Sequence, residues 1–161
     1  MTVRTYWVEA SSIGRLAVVG RPRAARDFAE LKAAGVDVLI SLQQVEEAAM
    51  VGLAEEAALC EAAGIVFHRL EIADHGIPKS LLSVEELAHT VKPLLAAGKG
   101  VAAHCYAGLG RSPLMIAAIM IDHGIDAMDA CDLISVARGV SVPEMASQID
   151  WLLSYEMRRH R

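Results

Sequence analysis

The sequence predicts an α/β fold: a single domain over residues 1–161, with a mostly parallel central sheet of about five strands and helices on both faces. Three observations predict it. The chain has 161 residues and a mass of 17.2 kDa, enough for one ordinary domain and too little for two. Apolar residues make up 54% of it and its mean hydropathy is +0.36, which excludes a disordered chain. One junction recurs at residues 31–42, 60–70 and 94–105, where a helix-like stretch ends in Ala-Ala-Gly and an apolar run follows. A glycine just past the last turn closes a helix. The short, partly β-branched run after it reads as a strand buried on both faces. Unequal spacing and unlike sequences make these α-to-β junctions, not a repeat protein.

The elements follow in order. Tyr6–Gly20 holds two short candidate strands around Gly14, an antiparallel edge. Val36–Leu42 is the next strand. Leu53, Ala57 and Cys60 share helical spacing on the helix that ends at Gly64, and Ile65–Leu70 is the strand after it. Ser83-Val-Glu-Glu86 reads as a capping box. The helix it opens carries Val84, Leu87, Ala88, Val91, Leu94 and Leu95 on one face. Val101–His104 is another buried strand. Leu114–Ile121 is apolar all round, which suits a helix at the centre of the domain. Ile125–Ala137 is the next helix, with Ala127, Cys131 and Ile134 on one face. Pro143–Met157 is the last, with Pro143 in its first turn.

Composition excludes several function classes. Fifteen basic and 20 acidic side chains leave a formal charge of −5. A generic nucleic-acid or anionic-membrane binder needs a basic field, so neither is expected as a partner. Pro113–Ile121, among the longest apolar stretches, is far too short to span a bilayer. The N-terminal residues lack the charged and apolar regions of a secretory signal. Three cysteines form no CxxC pair and cannot all pair within one chain, so a reduced, cytoplasmic compartment is expected. No spacing resembles a metal site.

The chemistry concentrates in His104-Cys105-Tyr106-Ala107-Gly108-Leu109-Gly110-Arg111-Ser112, between a buried strand and a buried helix. That is the carboxyl end of a strand, where α/β proteins place their sites. Five residues separate Cys105 from Arg111, enough to wrap the backbone once around a tetrahedral anion. Gly108 and Gly110 permit the positive φ angles and close approach that such a cradle requires. The amides of residues 106–111 then form a nest backed by the positive end of the following helix. Arg111 offers a planar fork to two phosphate oxygens. The same field favours Cys105 as a thiolate nucleophile. Ser112 is placed to donate to that sulfur, and His104 to orient the loop.

HCYAGLGRS matches in every fixed position the HCxxGxxR(S/T) signature of the cysteine-based protein tyrosine phosphatases, and the short chain resembles their compact dual-specificity branch. Ile72-Ala-Asp74-His-Gly-Ile-Pro78 is similar to the branch's I-x-D-x-G-x-P loop, which implies that Asp74 is the general acid. Gly14–Ala17, Arg21-Pro22 and Gly35–Leu42 resemble its N-terminal landmarks. Gln148, followed by an apolar stretch and Tyr155-Glu156, sits where the branch often carries a Gln-x-apolar-Tyr-Glu helix. The likeness runs from about residue 6 to residue 157. It implies a phosphomonoester hydrolase acting on phosphotyrosine, and on phosphoserine and phosphothreonine, in proteins through a phosphocysteine intermediate. Tyr106, Ala107, Gly108, Leu109, Gly110 and Arg111 would bind the phosphoryl group or inorganic oxyanions, and no metal or organic cofactor would be needed. With seven aromatic residues and no long aromatic loop, a shallow site is expected. Two alternatives stay open: a phosphatase of a small metabolite, and a phosphate-binding module with negligible turnover.

Other residues have plainer readings. Cys60 and Cys131 read as core hydrophobes, and His68 and His75 as strand and loop residues. Gln148 borders an apolar face, where a hydrogen-bonded boundary role competes with positioning the attacking water. Arg138 reads as a solvated residue at a helix end, and Arg158, Arg159 and Arg161 as a frayed basic terminus.

Overall fold

The computed structural model describes residues 3–10 and 12–160. Its strands are β1 (Thr5–Trp7), β2 (Arg15–Val19), β3 (Val38–Ser41), β4 (Val66–Arg69) and β5 (Gly100–His104). Its helices are α1 (Ala25–Ala33), α2 (Val45–Met50), α3 (Glu56–Ala63), α4 (Leu81–Ala96), α5 (Arg111–Asp122), α6 (Ala127–Arg138) and α7 (Ala146–Arg159). The strands form one sheet in the order β1-β2-β5-β3-β4, antiparallel only between β1 and β2. In register, Val38 faces Val101 on one side and Val66 on the other.

Side chains alternate across the sheet with the period of two that a pleat imposes. Leu16, Val18, Val38, Ile40, Val101 and Ala103 join the core under α4 to α7. Ala17, Val19, Leu39 and Ala102 join a second core that holds Phe28 and Leu31 of α1 and Cys60 of α3. Covering both faces is why these strands read as continuous apolar runs. At α5 the residues from Arg111 to Ile121 are all buried. Truncating one of its large side chains, such as Leu114, to alanine would cost about 2–5 kcal/mol. The three Ala-Ala-Gly junctions end as their sequence implies, with Gly35, Gly64 and Gly98 at φ of 106°, 77° and 84°.

Several expectations need correction. β4 is an edge strand, with Val66 half exposed, so its apolar run is not covered on both faces. The N-terminal hairpin is only half an edge, because β2 pairs inward with β5. α4 begins one turn earlier than the capping box implied: Ser80 is the cap, and its Oγ accepts from the Ser83 amide at 3.1 Å. Pro143 precedes α7, not occupying its first turn, because the next amide, Glu144 N, donates to Leu109 O at 2.8 Å and holds the chain extended along the loop. On α3 the buried position beside Cys60 is Glu56, while Ala57 faces solvent. The C-terminal turn is not frayed, since Arg159 Nε donates to Asp122 Oδ1 at 2.6 Å. Arg161 lies outside the described residues. No described helix is long and apolar enough to cross a membrane.

Parallel pairing of β3, β4 and β5 sends the segments that follow them to one edge of the sheet. Those segments are α2, the stretch Glu71–Lys79 and the loop after Cys105, and they build the site.

Candidate active site

β5 delivers His104 and Cys105 to the carboxyl edge, and burial of α5 fixes where Arg111 and Ser112 begin the next helix. The six residues from 105 to 110 turn between them. Gly108 adopts φ +74°, a conformation strained for any other residue. Gly110 is needed for a different reason than expected. Its φ is −129°, but a Cβ there would lie 2.9 Å from the Gln148 amide, so closeness and not handedness favours glycine, and a larger residue would displace that amide. Arg138 is half-buried and does more than meet solvent. It donates to the carbonyls of Gly108 (3.2 Å) and Ala107 (3.1 Å) and stacks on Tyr6, pinning the loop from outside. Among the described residues, no amide from 106 to 111 donates to a protein acceptor.

The Cys105 sulfur is 3.2 Å from Ser112 Oγ, and both side chains are buried. Behind it lies His104, fully buried, its ring nitrogens facing the Cys105 carbonyl (3.2 Å) and Glu56 Oε2 (2.5 Å). Arg69 stands 3.6 Å from the other Glu56 oxygen and donates to Gln43 O at 2.9 Å. The strand end before Cys105 is therefore tied to α3 and β4 through polar side chains.

Arg111 is 2% exposed and almost fully bonded. Nη1 donates to Glu47 Oε1 (2.7 Å) and Ile72 O (2.9 Å); Nη2 donates to Glu47 Oε2 (2.8 Å) and Asp74 Oδ1 (3.2 Å). Burial opposes its charge, but the Glu47 hydrogen bonds and the charges of Cys105, Glu47 and Asp74 outweigh it and hold the guanidinium above its ordinary range. Burial likewise pushes Glu47 up, and Arg111 more than compensates, leaving that carboxyl below the usual glutamate value.

Asp74 is 57% exposed. His75, at φ +62°, lies 3.8 Å from its carboxylate and 3.7 Å from that of Glu144. Gln148 is fully buried; its Nε2 donates to Gly76 O (3.0 Å) and its Oε1 accepts from Met145 N (3.3 Å), so α7 holds the Asp74 segment near the loop. Asp74, Cys105, Tyr106, Ala107, Leu109, Gly110, Arg111 and Gln148 thus line one cavity of about 250 Å³. Ser112 and His104 stand behind the sulfur, and Gly108 faces the outer side of the loop.

Glu47 and Glu56 were not anticipated. Both are carboxylates on amphipathic helices, where sequence reads a solvated face; a Gln43–Glu47 spacing was the only local hint. Asp126, Glu156 and His160 bring ligand atoms within 4.8 Å of one another, but at the opposite end of α5 from Cys105. Glu156 there already accepts from Ala127 N and His160 bonds Ile121 O.

A family model described as "Tc-R-P: Polymorphic toxin system, DSP-PTPase phosphatase" matches residues 16–125. The chain is similar to a probable protein tyrosine phosphatase type IVA A of Dictyostelium discoideum, 29% identical over 102 residues, 62% of this chain and 59% of that protein. Human protein tyrosine phosphatase type IVA 3 is 33% identical over 88 residues, 53% of this chain and 50% of that one. Protein tyrosine phosphatase PRL-1 of Leishmania major is 36% identical over 62 residues, 38% of this chain and 34% of that one. The chain therefore spans about a third to three fifths of these curated relatives. Among solved structures, kinase associated phosphatase with its catalytic-site cysteine changed to serine superposes with a TM-score of 0.89 at 22% identity, covering 99% of this chain and 97% of that one. Tk-PTP in its active form gives 0.76 at 26% identity, covering 90% and 93%.

Proposed function

The chain belongs to the DSP-PTPase phosphatase family, and from that premise we propose that it hydrolyses phosphomonoesters in proteins, on tyrosine and on serine or threonine, through a phosphocysteine. One observation carries the reading: Cys105 and Arg111 at the two ends of one loop, Asp74 from the segment after β4 and Gln148 from α7 converge on a single small cavity.

In this scheme the Cys105 thiolate attacks phosphorus, the bond to the leaving oxygen breaks, and Asp74 gives that oxygen a proton. Water then attacks the phosphocysteine, Asp74 takes its proton, and inorganic phosphate leaves as the sulfur–phosphorus bond breaks. Gln148 positions that water, and Ser112 donates to the departing sulfur. The amides of 106–111 and Arg111 stabilise charge on the equatorial oxygens. Glu47 occupies one edge of the Arg111 fork, so the edge formed by Nη2 and Nε serves the substrate. An incoming phosphoryl oxygen replaces the Asp74 carboxylate on Nη2, and the released carboxylate takes a proton from solvent before it works as the acid.

The test is release of phosphate from peptides carrying phosphotyrosine, phosphoserine or phosphothreonine, with acid quenching to trap a phosphoryl group on the Cys105 peptide. Turnover lost in Cys105→Ser, with a phosphoryl adduct on Cys105 in the wild type, is expected. Undiminished turnover in Cys105→Ser overturns the mechanism.

A further inference from the structure

Tyr106 and Ala107 form one wall of the Cys105 cavity, and their other side faces a groove of about 620 Å³. Arg4, Arg21, Arg23, Arg26 and Arg138 line that groove. Among the described residues, none of these five lies within 4 Å of a carboxylate, whereas Arg69, Arg111, Arg158 and Arg159 all do. The groove's acidic residue, Asp27, is buried and turned to the start of α1, where its Oδ2 accepts from the amides of Arg23 (2.7 Å) and Ala24 (3.1 Å). The positive field is therefore supplied by guanidinium groups, not by the helix end. The Arg21 guanidinium carbon stands over the Tyr106 ring, 4.3 Å from its centre, and its Nε is shielded from solvent with no acceptor.

This is an unusual concentration in a chain of net charge −5. Unpaired like charges gathered in one place repel one another and weaken a fold, while raising the local concentration of anions. Several guanidinium forks offer more donors than one carboxylate accepts, and they match the three oxygens and double charge of a phosphoryl group. A substrate lying across Tyr106 and Ala107 passes from one cavity into the other.

We infer that the groove receives a second phosphoryl group of the same substrate molecule, seated by Arg21, Arg23 and Arg26, so that the preferred substrate carries two phosphates. The inference rests on the hydrolase reading of the Cys105 cavity and adds the substrate class.

The test measures binding by calorimetry to the Cys105→Ser protein. Its probes are a peptide with one phosphotyrosine, the same peptide with a phosphoserine two residues away, glucose 6-phosphate and glucose 1,6-bisphosphate. The doubly phosphorylated member of at least one pair should bind on the order of tenfold tighter, and which pair does so identifies the source. Arg23→Ala with Arg26→Ala, both exposed side chains, should bring that ratio near one, and Arg21→Lys should reduce it while keeping the charge. Equal affinities within both pairs overturn the subsite, as does a preference that survives in the double variant. Tight binding of a single-stranded oligonucleotide without preference for either bisphosphate also overturns it. Turnover of the singly phosphorylated peptide by the wild type is read separately: its absence sinks the hydrolase reading and leaves the binding result intact.

Discussion

Glu47 grips both terminal nitrogens of Arg111, at 2.7 and 2.8 Å, across 64 residues of sequence. The pair turns a flexible side chain into a fixed fork, because a bidentate carboxylate sets the guanidinium plane as well as its position. Glu47→Gln keeps the size but loses the charge and one acceptor oxygen. Its kcat/KM should fall by about tenfold or more, with Glu47→Asp intermediate. Steady-state kinetics on an aryl phosphate check this; values within twofold for both variants would mean that Arg111 holds its place without Glu47.

The same pair sets an acid limit on stability. Because Glu47 is held below its ordinary value of 4.5, its contribution is complete above that value and is lost as pH falls through the lower value of the folded state. Urea titrations should therefore show the wild type more stable than Glu47→Gln near pH 7, with the gap closing below about pH 4.5. A gap that widens on acidification would contradict the assignment.

Thiol labelling separates the three cysteines. Burial, with Glu56 nearby, pushes Cys60 up to about 12, and burial with Asp132 nearby pushes Cys131 up to about 11. Both stay protonated and unreactive at neutral pH. Limiting iodoacetamide at pH 7 should modify Cys105 first, and vanadate should protect it. Peptide mapping that finds Cys60 or Cys131 alkylated ahead of Cys105 would remove the sulfur from the mechanism.

Asp74→Asn probes proton donation. A general acid matters more as the leaving oxygen becomes more basic. The variant should lose turnover of phenyl phosphate by about a hundredfold and of p-nitrophenyl phosphate by much less. Equal losses on both esters would reassign the acid. Glu71 is a poor substitute, because its carboxylate accepts from the Val45 amide at the start of α2.

Gly110→Ala tests Gln148 without touching it. The added Cβ would sit 2.9 Å from the Gln148 amide and would push it off Gly76 O. If Gln148 positions the attacking water, Gly110→Ala and Gln148→Ala should each slow turnover by about tenfold, and the double variant should be no slower than either. Multiplying losses would show that Gly110 acts independently of Gln148.

The parts of this protein that sequence revealed are those written in short stretches. The loop from His104 to Ser112 is contiguous, so its glycines, cysteine and arginine announce one another. The Ala-Ala-Gly junctions mark helix ends by backbone geometry alone, and those glycines do adopt positive φ. What remained hidden depends on distant partners. Glu56 meets His104 across 48 residues and Arg138 meets Gly108 across 30, and nothing local separates a partnered carboxylate or guanidinium from a solvated one. The arginine groove was hidden for a related reason: a net charge averages the whole surface, and an acidic total conceals a basic hollow.

The Asp74 carboxylate lies 3.2 Å from Arg111 Nη2, the position that the proposed mechanism gives to a substrate oxygen. Any visitor must win an ion exchange. Chloride or acetate brings a single charge and gains nothing by replacing one carboxylate with another monoanion. A phosphoryl dianion brings two charges and also engages the loop amides, so it tips the exchange. On the proposed mechanism the pocket thereby disfavours small monoanions without any steric barrier, and the toll is set by the residue that the reaction needs set free.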